Sequence, residues 1–340
     1  MPAFPVHQRL APQPDAPPTL VVVVDTEEEF DWDAPFDPAS TSVENIGFQH
    51  LAQDAFDRHG IVPTYVVDYP VASTADSVAT LRSFHESRRC EIGAHLHPWV
   101  NPPAEEAISA FHSYACNLPG DLMRRKLEVL DQAIERAFGR KPTVYKAGRY
   151  GIGPDTPAVL RSLGFQADTS VVPHTNFSAD GGPDFRGLPD QPYEAAEGLL
   201  EVPLSVGFAG WAAGAGSRLY AWLERARALR LPGIAARLGV VERLRLSPEG
   251  HSLDDMVRQT KAGLGRGQQY FVLTYHSSSL MPGGSPYART VQMRDEMLRT
   301  LTAYLHYFKS LPGSTATTIQ SMAQSLLRPG PGPHSFASRA

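Results

Sequence analysis

The sequence predicts an α/β protein with a parallel sheet, open or closed into a barrel. Two observations lead there. Short β-branched and aromatic runs alternate with segments of helical apolar spacing, and several of those runs end in a residue fit for chemistry. The runs are TLVVVV (19–24), VPTYVVD (62–68), CEIGAHLH (90–97), PTVYKAG (142–148), LLEVPLS (199–205) and YFVLTYH (270–276). Between them, NIGFQHLAQDAFDRHG and RRKLEVLDQAIERAFG place apolar residues three and four apart, the second stopping at Gly139, a helix-ending residue. LRSLGFQADTS reads as a further helix and strand, and RTVQMRDEMLRTLTAYLHYFKSL (289–311) as a late helix. Residues 211–250 break the rhythm: a glycine-rich loop and two helical stretches form an insertion before the last strand, not a domain of their own. The expected organisation is one domain over 19–327, between a disordered proline-rich lead-in (1–18) and a disordered tail (328–340).

Composition narrows the function. At 340 residues, 42% of them hydrophobic, the chain can bury a full core. A net charge of −5 with dispersed basic residues gives no surface for nucleic acid. Two cysteines, Cys90 and Cys116, exclude a disulfide framework and fit no zinc-thiolate spacing. No apolar run reaches the roughly 18 residues of a transmembrane helix. The leading MPAFPVHQRLAPQPDAPPT lacks the apolar core of a secretory signal, so a cytoplasmic protein is expected.

Side chains two apart on a strand share a face, so Asp25 and Glu27 of TLVVVVDTEEEFDW point together at the end of the first strand. In parallel α/β folds that end carries the site. Glu28 and Glu29, directly behind, are expected in a solvated loop. His95 and His97 of EIGAHLHPW repeat the spacing, and His-x-His is a compact way to offer two nitrogens to one metal. With one carboxylate they make a ligand set that leaves room for water. Arg149 in YKAGRYG closes a strand and can hold a carboxylate ionised. His276 in LTYHSSS, a strand end among small polar residues, suits a general acid. Trp99 and Tyr150 beside these motifs, and Trp211 in the insertion, are the candidate substrate contacts. For Trp211, Tyr220 and Trp222 the competing expectation is packing of the insertion onto the sheet.

In this order the motifs resemble those of the polysaccharide deacetylases with a NodB-homology domain, a carbohydrate esterase family, over roughly residues 19–327. The resemblance implies a deformed (β/α) barrel and hydrolysis of N- or O-acetyl groups from sugars. It also implies a divalent metal ion, with zinc the expected one. It casts Asp25 as the base, Glu27, His95 and His97 as metal ligands, Arg149 as the group orienting the base, and His276 as the acid. The implied partner is an acylated sugar or glycan intermediate, such as a nucleotide- or lipid-linked precursor. Oligomeric state is not fixed by the sequence.

The chain departs from the family in three places. Thr26 separates carboxylates that are commonly adjacent. The family's second histidine stands four residues after the first, where this chain has Trp99. Its Arg-x-Pro-Tyr motif becomes RYGIG here. The family's tryptophan motif is not placed, although Trp211 follows the corresponding strand, and Asp168 of ADTSVVP closes another strand with its role open. Two other classes compete: an amidohydrolase-type barrel, whose His-x-His normally closes the first strand, and a catalytically degenerate deacetylase fold that binds a glycan or partner.

Overall fold

A computed structural model of the protein describes residues 4–10, 16–225 and 230–327. The strands are β1 (Gln8–Arg9), β2 (Thr19–Thr26), β3 (Thr64–Val67), β4 (Glu91–Leu96), β5 (Val144–Ala147), β6 (Ala167–Asp168), β7 (Tyr193–Ala196), β8 (Leu199–Glu201), β9 (Val206–Ala209), β10 (Glu242–Arg245), β11 (Tyr270–His276) and β12 (Thr315–Ala316). The four valines of β2 follow from burial. Leu20 to Val24 are at most 1% exposed, and a parallel strand covered on both faces has no polar side. All six predicted runs form strands, at β2, β3, β4, β5, β8 and β11.

The sheet runs β1-β7-β8-β6-β5-β4-β3-β2-β11, and every pair from β8 to β11 along this order is parallel. Between the strands lie α1 (His50–Arg58), α2 (Tyr69–Ser73), α3 (Ala75–Glu86), α4 (Gly120–Phe138) and α5 (Thr156–Leu163). The insertion holds α6 (Gly216–Arg225) and α7 (Leu231–Arg237), followed later by α8 (Leu253–Gly265), α9 (Val291–Lys309) and α10 (Ile319–Leu326). The predicted α4 ends at Gly139, whose φ of 79° is the left-handed conformation a helix C-terminus favours.

Irregular backbone bridges the two ends of the parallel run. After β8 the chain keeps pairing with the β6 side through Val202 N–H to Asp168 O (2.8 Å) and Leu204 N–H to Val171 O (2.9 Å). It then turns to β11: Val272 N–H donates to Ser205 Oγ (2.8 Å), Leu246 N–H to Ser205 O (2.9 Å) and Thr274 N–H to Leu246 O (3.2 Å). The result is a deformed (β/α) barrel with all parallel C-terminal ends on one rim.

The lead-in is partly structured, unlike the expectation: Gln8–Arg9 add antiparallel to β7, and the Phe4 ring packs on Phe185 at 5.5 Å. The edge of β7 supplies backbone partners that the proline-rich composition does not reveal. The tail 328–340 lies outside the described residues. The insertion is built on β9 and β10, paired antiparallel, with α6 and α7 closing a small apolar cluster of Phe208, Leu223, Ala235 and Val241.

Asp168, whose role the sequence leaves open, faces Glu201 directly across β6 and β8, both buried. Burial raises Asp168 to about 6, with hydrogen bonds from Ser170 and Glu201 working against it. Burial and the Asp168 charge raise Glu201 far above the carboxylate range. Such a group binds more protons folded than unfolded, so its stabilisation is full below about pH 4 and fades as pH rises through the folded value. Glu201→Gln, a permanent neutral donor, is expected to flatten the fall in Tm between pH 5 and pH 8 relative to the wild type. Parallel Tm curves would show that the pair does not share a proton.

Candidate active site

The strand ends on one rim surround a cleft of about 360 Å³. Asp25 is the penultimate residue of β2, and its carboxylate is held by Lys146 from β5, with Nζ 2.5 Å from Oδ1 and 2.7 Å from Oδ2. Lys146 Nζ also donates to Thr274 Oγ1 on β11 (3.2 Å). Both charged groups are buried. Burial alone would raise the Asp25 pKa, but Lys146 and then His276 outweigh it and hold it below the usual range. His276 Nε2 is 3.6 Å from Asp25 Oδ2, and its Nδ1–H donates to Glu249 Oε2 at 2.9 Å. Burial pushes His276 down, but Glu249, Glu27 and Asp25 raise it to about 9, so it is a cation at neutral pH.

Glu27, His95 and His97 form a second group. Glu27 Oε2 is 3.4 Å from His95 Nε2 and 3.3 Å from His97 Nε2, and the two Nε2 atoms are 3.1 Å apart. Tetrahedral ligands at about 2.0–2.1 Å from an ion are roughly 3.3–3.4 Å from one another, so these separations fit a zinc-like cation. Glu27 Oε1 is buried with no hydrogen-bond partner, a further sign that the set is built for one. Both rings are aimed by their other nitrogen: His95 Nδ1–H donates to Lys146 O (2.9 Å) and His97 Nδ1–H to Glu28 Oε2 (2.8 Å). That leaves each Nε2 as the free donor atom. Burial raises Glu27, but His276, His95 and His97 outweigh it and keep it ionised. His97 sits against Gly148, where a Cβ would lie 2.6 Å from Leu96 O and collide with the imidazole.

Several expectations change. Glu28 is not in a solvated loop: it is fully buried, takes His97 and the Trp99 indole N–H (2.8 Å), and its own N–H donates to Asp68 (2.7 Å). Glu29 is also engaged, accepting from Asn45 N–H at 2.7 Å. Arg149 does not orient Asp25. Positive φ at Arg149 (51°) and Tyr150 (61°) turns the chain after β5, so the guanidinium bonds Ser113 Oγ (2.6 Å) and packs 4.1 Å over Tyr114, on the cleft wall. Lys146 has taken the orienting place. Trp99 lines the cleft but is buried and stacked on His97 at 4.3 Å, so its main contacts are with the ligand set rather than with open space.

Tyr150 lines the cleft, its Oη accepting from Arg245 at 2.5 Å. Trp211 is 79% exposed and is not among the cleft-lining residues, because the β9–β10 hairpin carries it outward. The sequence reading missed Lys146, Arg245 and Glu249. Only Lys146 had a signal: a lysine inside an otherwise apolar run is rarely buried without a partner.

No protein-family profile and no curated protein matches this chain. Solved structures do. A Mycobacterium smegmatis protein whose name assigns it to the polysaccharide deacetylases superposes with a TM-score of 0.54 at 18% identity, over 96% of this chain and 94% of its own. A Pseudomonas aeruginosa PAO1 protein likewise assigned gives 0.53 at 14% identity, over 92% and 93%. The PuuE allantoinase gives 0.53 at 14% identity, over 92% and 91%. The chain therefore shares the fold of these three structures.

Lys146→Met would leave Asp25 buried without its counter-charge. A loss of about 3–5 kcal/mol is expected in urea denaturation, with most of it recovered in the double variant Lys146→Met/Asp25→Asn. Equal losses in the single and double variants would show that the pair is not what the lysine serves.

Proposed function

We propose that this protein is a metal-dependent hydrolase that removes an acyl group from an N- or O-acylated sugar or a cytoplasmic glycan precursor. The observation that carries the reading is the meeting in one cleft of three elements. They are an open Glu27–His95–His97 set, a separate ion-paired Asp25, and a carboxylate-backed His276. Glu27, His95 and His97 would hold the ion, with zinc favoured by the nitrogen-rich set. Such an ion supplies Lewis-acid polarisation of the acyl carbonyl and lowers the pKa of water.

The chain's own residues do the proton work. Asp25, kept ionised by Lys146, takes the proton of the attacking water. His276, facing it at 3.6 Å, is protonated at neutral pH and donates from Nε2 to the departing sugar nitrogen or oxygen. Glu249 on Nδ1 stabilises that cation and holds the ring with Nε2 towards Asp25. Trp32 packs edge-on to His276 at 4.9 Å and, with Phe30 and Tyr287, offers ring faces for a sugar and keeps bulk water away. The allantoinase among the similar folds makes a cyclic amide the second substrate class to screen.

Elemental analysis of purified protein should find about one divalent ion per chain in the wild type and little in His97→Ala. Chelation should abolish release of acetate from acetylated sugars. Asp25→Asn should keep the ion and lose about 10²–10⁴ in kcat. Full activity in that variant would remove Asp25 as the base. No ion in the wild type, even after reconstitution, would favour a fold kept for binding alone.

An acid must be protonated to act, so activity should persist below and fall as pH rises through about 9. Glu249→Gln should move that limb down towards the ordinary histidine value of about 6.5. An unmoved alkaline limb would mean that His276 is not the acid.

A further inference from the structure

Arg245 has no part in the chemistry above; burial works against its charge and Tyr150, Asp25 and Glu249 favour it, yet neither carboxylate pairs with it directly. It ends β10 and lines the same cleft. Among the described residues its one hydrogen bond runs from Nη2 to the neutral Tyr150 Oη at 2.5 Å, and Nε is buried with no partner. Among the described residues no carboxylate lies within ion-pair distance of it. Two other cations at this rim have one: Lys146 on Asp25 at 2.5 Å and His276 on Glu249 at 2.9 Å. The Tyr150 ring, 5.3 Å from Cζ, gives only a cation–π contact.

A half-buried guanidinium without a directly paired carboxylate keeps unused donors, and its planar fork matches carboxylate or phosphate oxygens. Arg149 lines the same cleft, and among the described residues its hydrogen bonds use Nη1 alone, on Ser113 Oγ (2.6 Å) and Ala110 O (3.2 Å). Asp31 and Asp180 also border the cleft, but both are exposed, where water and salt screen them.

We propose that Arg245, with Arg149 as the outer contact, binds an anionic group of the substrate, a carboxylate or a phosphate, so that the acylated sugar taken by this cleft is an acidic one. This rests on the reading of the site as a sugar deacylase, and the test separates the two. Isothermal titration calorimetry would compare the wild type with Arg245→Gln. The probes are N-acetylglucosamine, its 6-phosphate, the carboxylate-bearing N-acetylmuramic acid, and inorganic phosphate.

At least one acidic sugar is expected to bind the wild type about tenfold or more tighter than the neutral sugar. The two acidic probes tell phosphate from carboxylate. The advantage should vanish in Arg245→Gln while neutral-sugar affinity stays within about twofold. Arg245→Lys, which keeps the charge but not the fork, should retain part of it and serves if the glutamine variant does not fold. An acidic sugar that binds no tighter than the neutral one, or a preference that survives Arg245→Gln, overturns the proposal. Arg245-dependent binding of inorganic phosphate with no binding of any sugar would uphold the anion site and count against the sugar reading. No binding of phosphate or of either acidic sugar overturns the anion site and leaves the deacylase reading to its own assay.

Discussion

Lys146 reaches across the barrel rim from β5 to the carboxylate of Asp25 on β2, and the rest of the site is arranged around that contact. Through its side chain it keeps Asp25 ionised; through its backbone oxygen it receives His95 Nδ1–H and so aims the opposite nitrogen at Glu27 and His97. One residue therefore orients both the proposed base and one proposed ligand. A buried ion pair is weak support for stability, because withdrawing two charges from water offsets most of their attraction. Its value here is geometric: it fixes two strand ends relative to each other in a barrel bridged by irregular backbone.

The His-x-His spacing has a physical reading in this setting. His95 is on β4 and His97 just beyond it, both facing the rim, so their Nε2 atoms meet at 3.1 Å from only two residues apart. The position four after His95 holds Trp99, which stacks on His97 and spends its N–H on Glu28. Glu28 in turn rests on Asp68, which caps α2 through Val71 N–H at 2.8 Å. The ligand set is thus backed by a chain of buried polar groups that ends on a helix terminus, which limits how far His97 can swing.

The insertion reaches the cleft itself. Arg245 ends β10, and Glu249, four residues on, braces His276 through both Nδ1 and the backbone N–H (2.9 Å each). The segment with its own small apolar cluster is also the segment that braces the proposed acid. Its exposed aromatics, Trp211 and Trp222, stand apart from that work.

The sequence by itself determined the strands, most helix positions and the fold class, because burial on both faces forces β2 and its neighbours into apolar runs and leaves polar residues only at their ends. Period two then placed Asp25 with Glu27 and His95 with His97, since strand geometry is local. What only the tertiary structure decided is which end meets which. Lys146 rather than Arg149 faces Asp25 because two residues with positive φ turn the chain away after β5. Glu28 is buried because Asp68 and Trp99 fold against it, and Arg245 and Glu249 arrive from a segment whose spacing carries no strand-end pattern. Those pairings span 27 to 121 residues of chain and are set by barrel closure, not by any local preference.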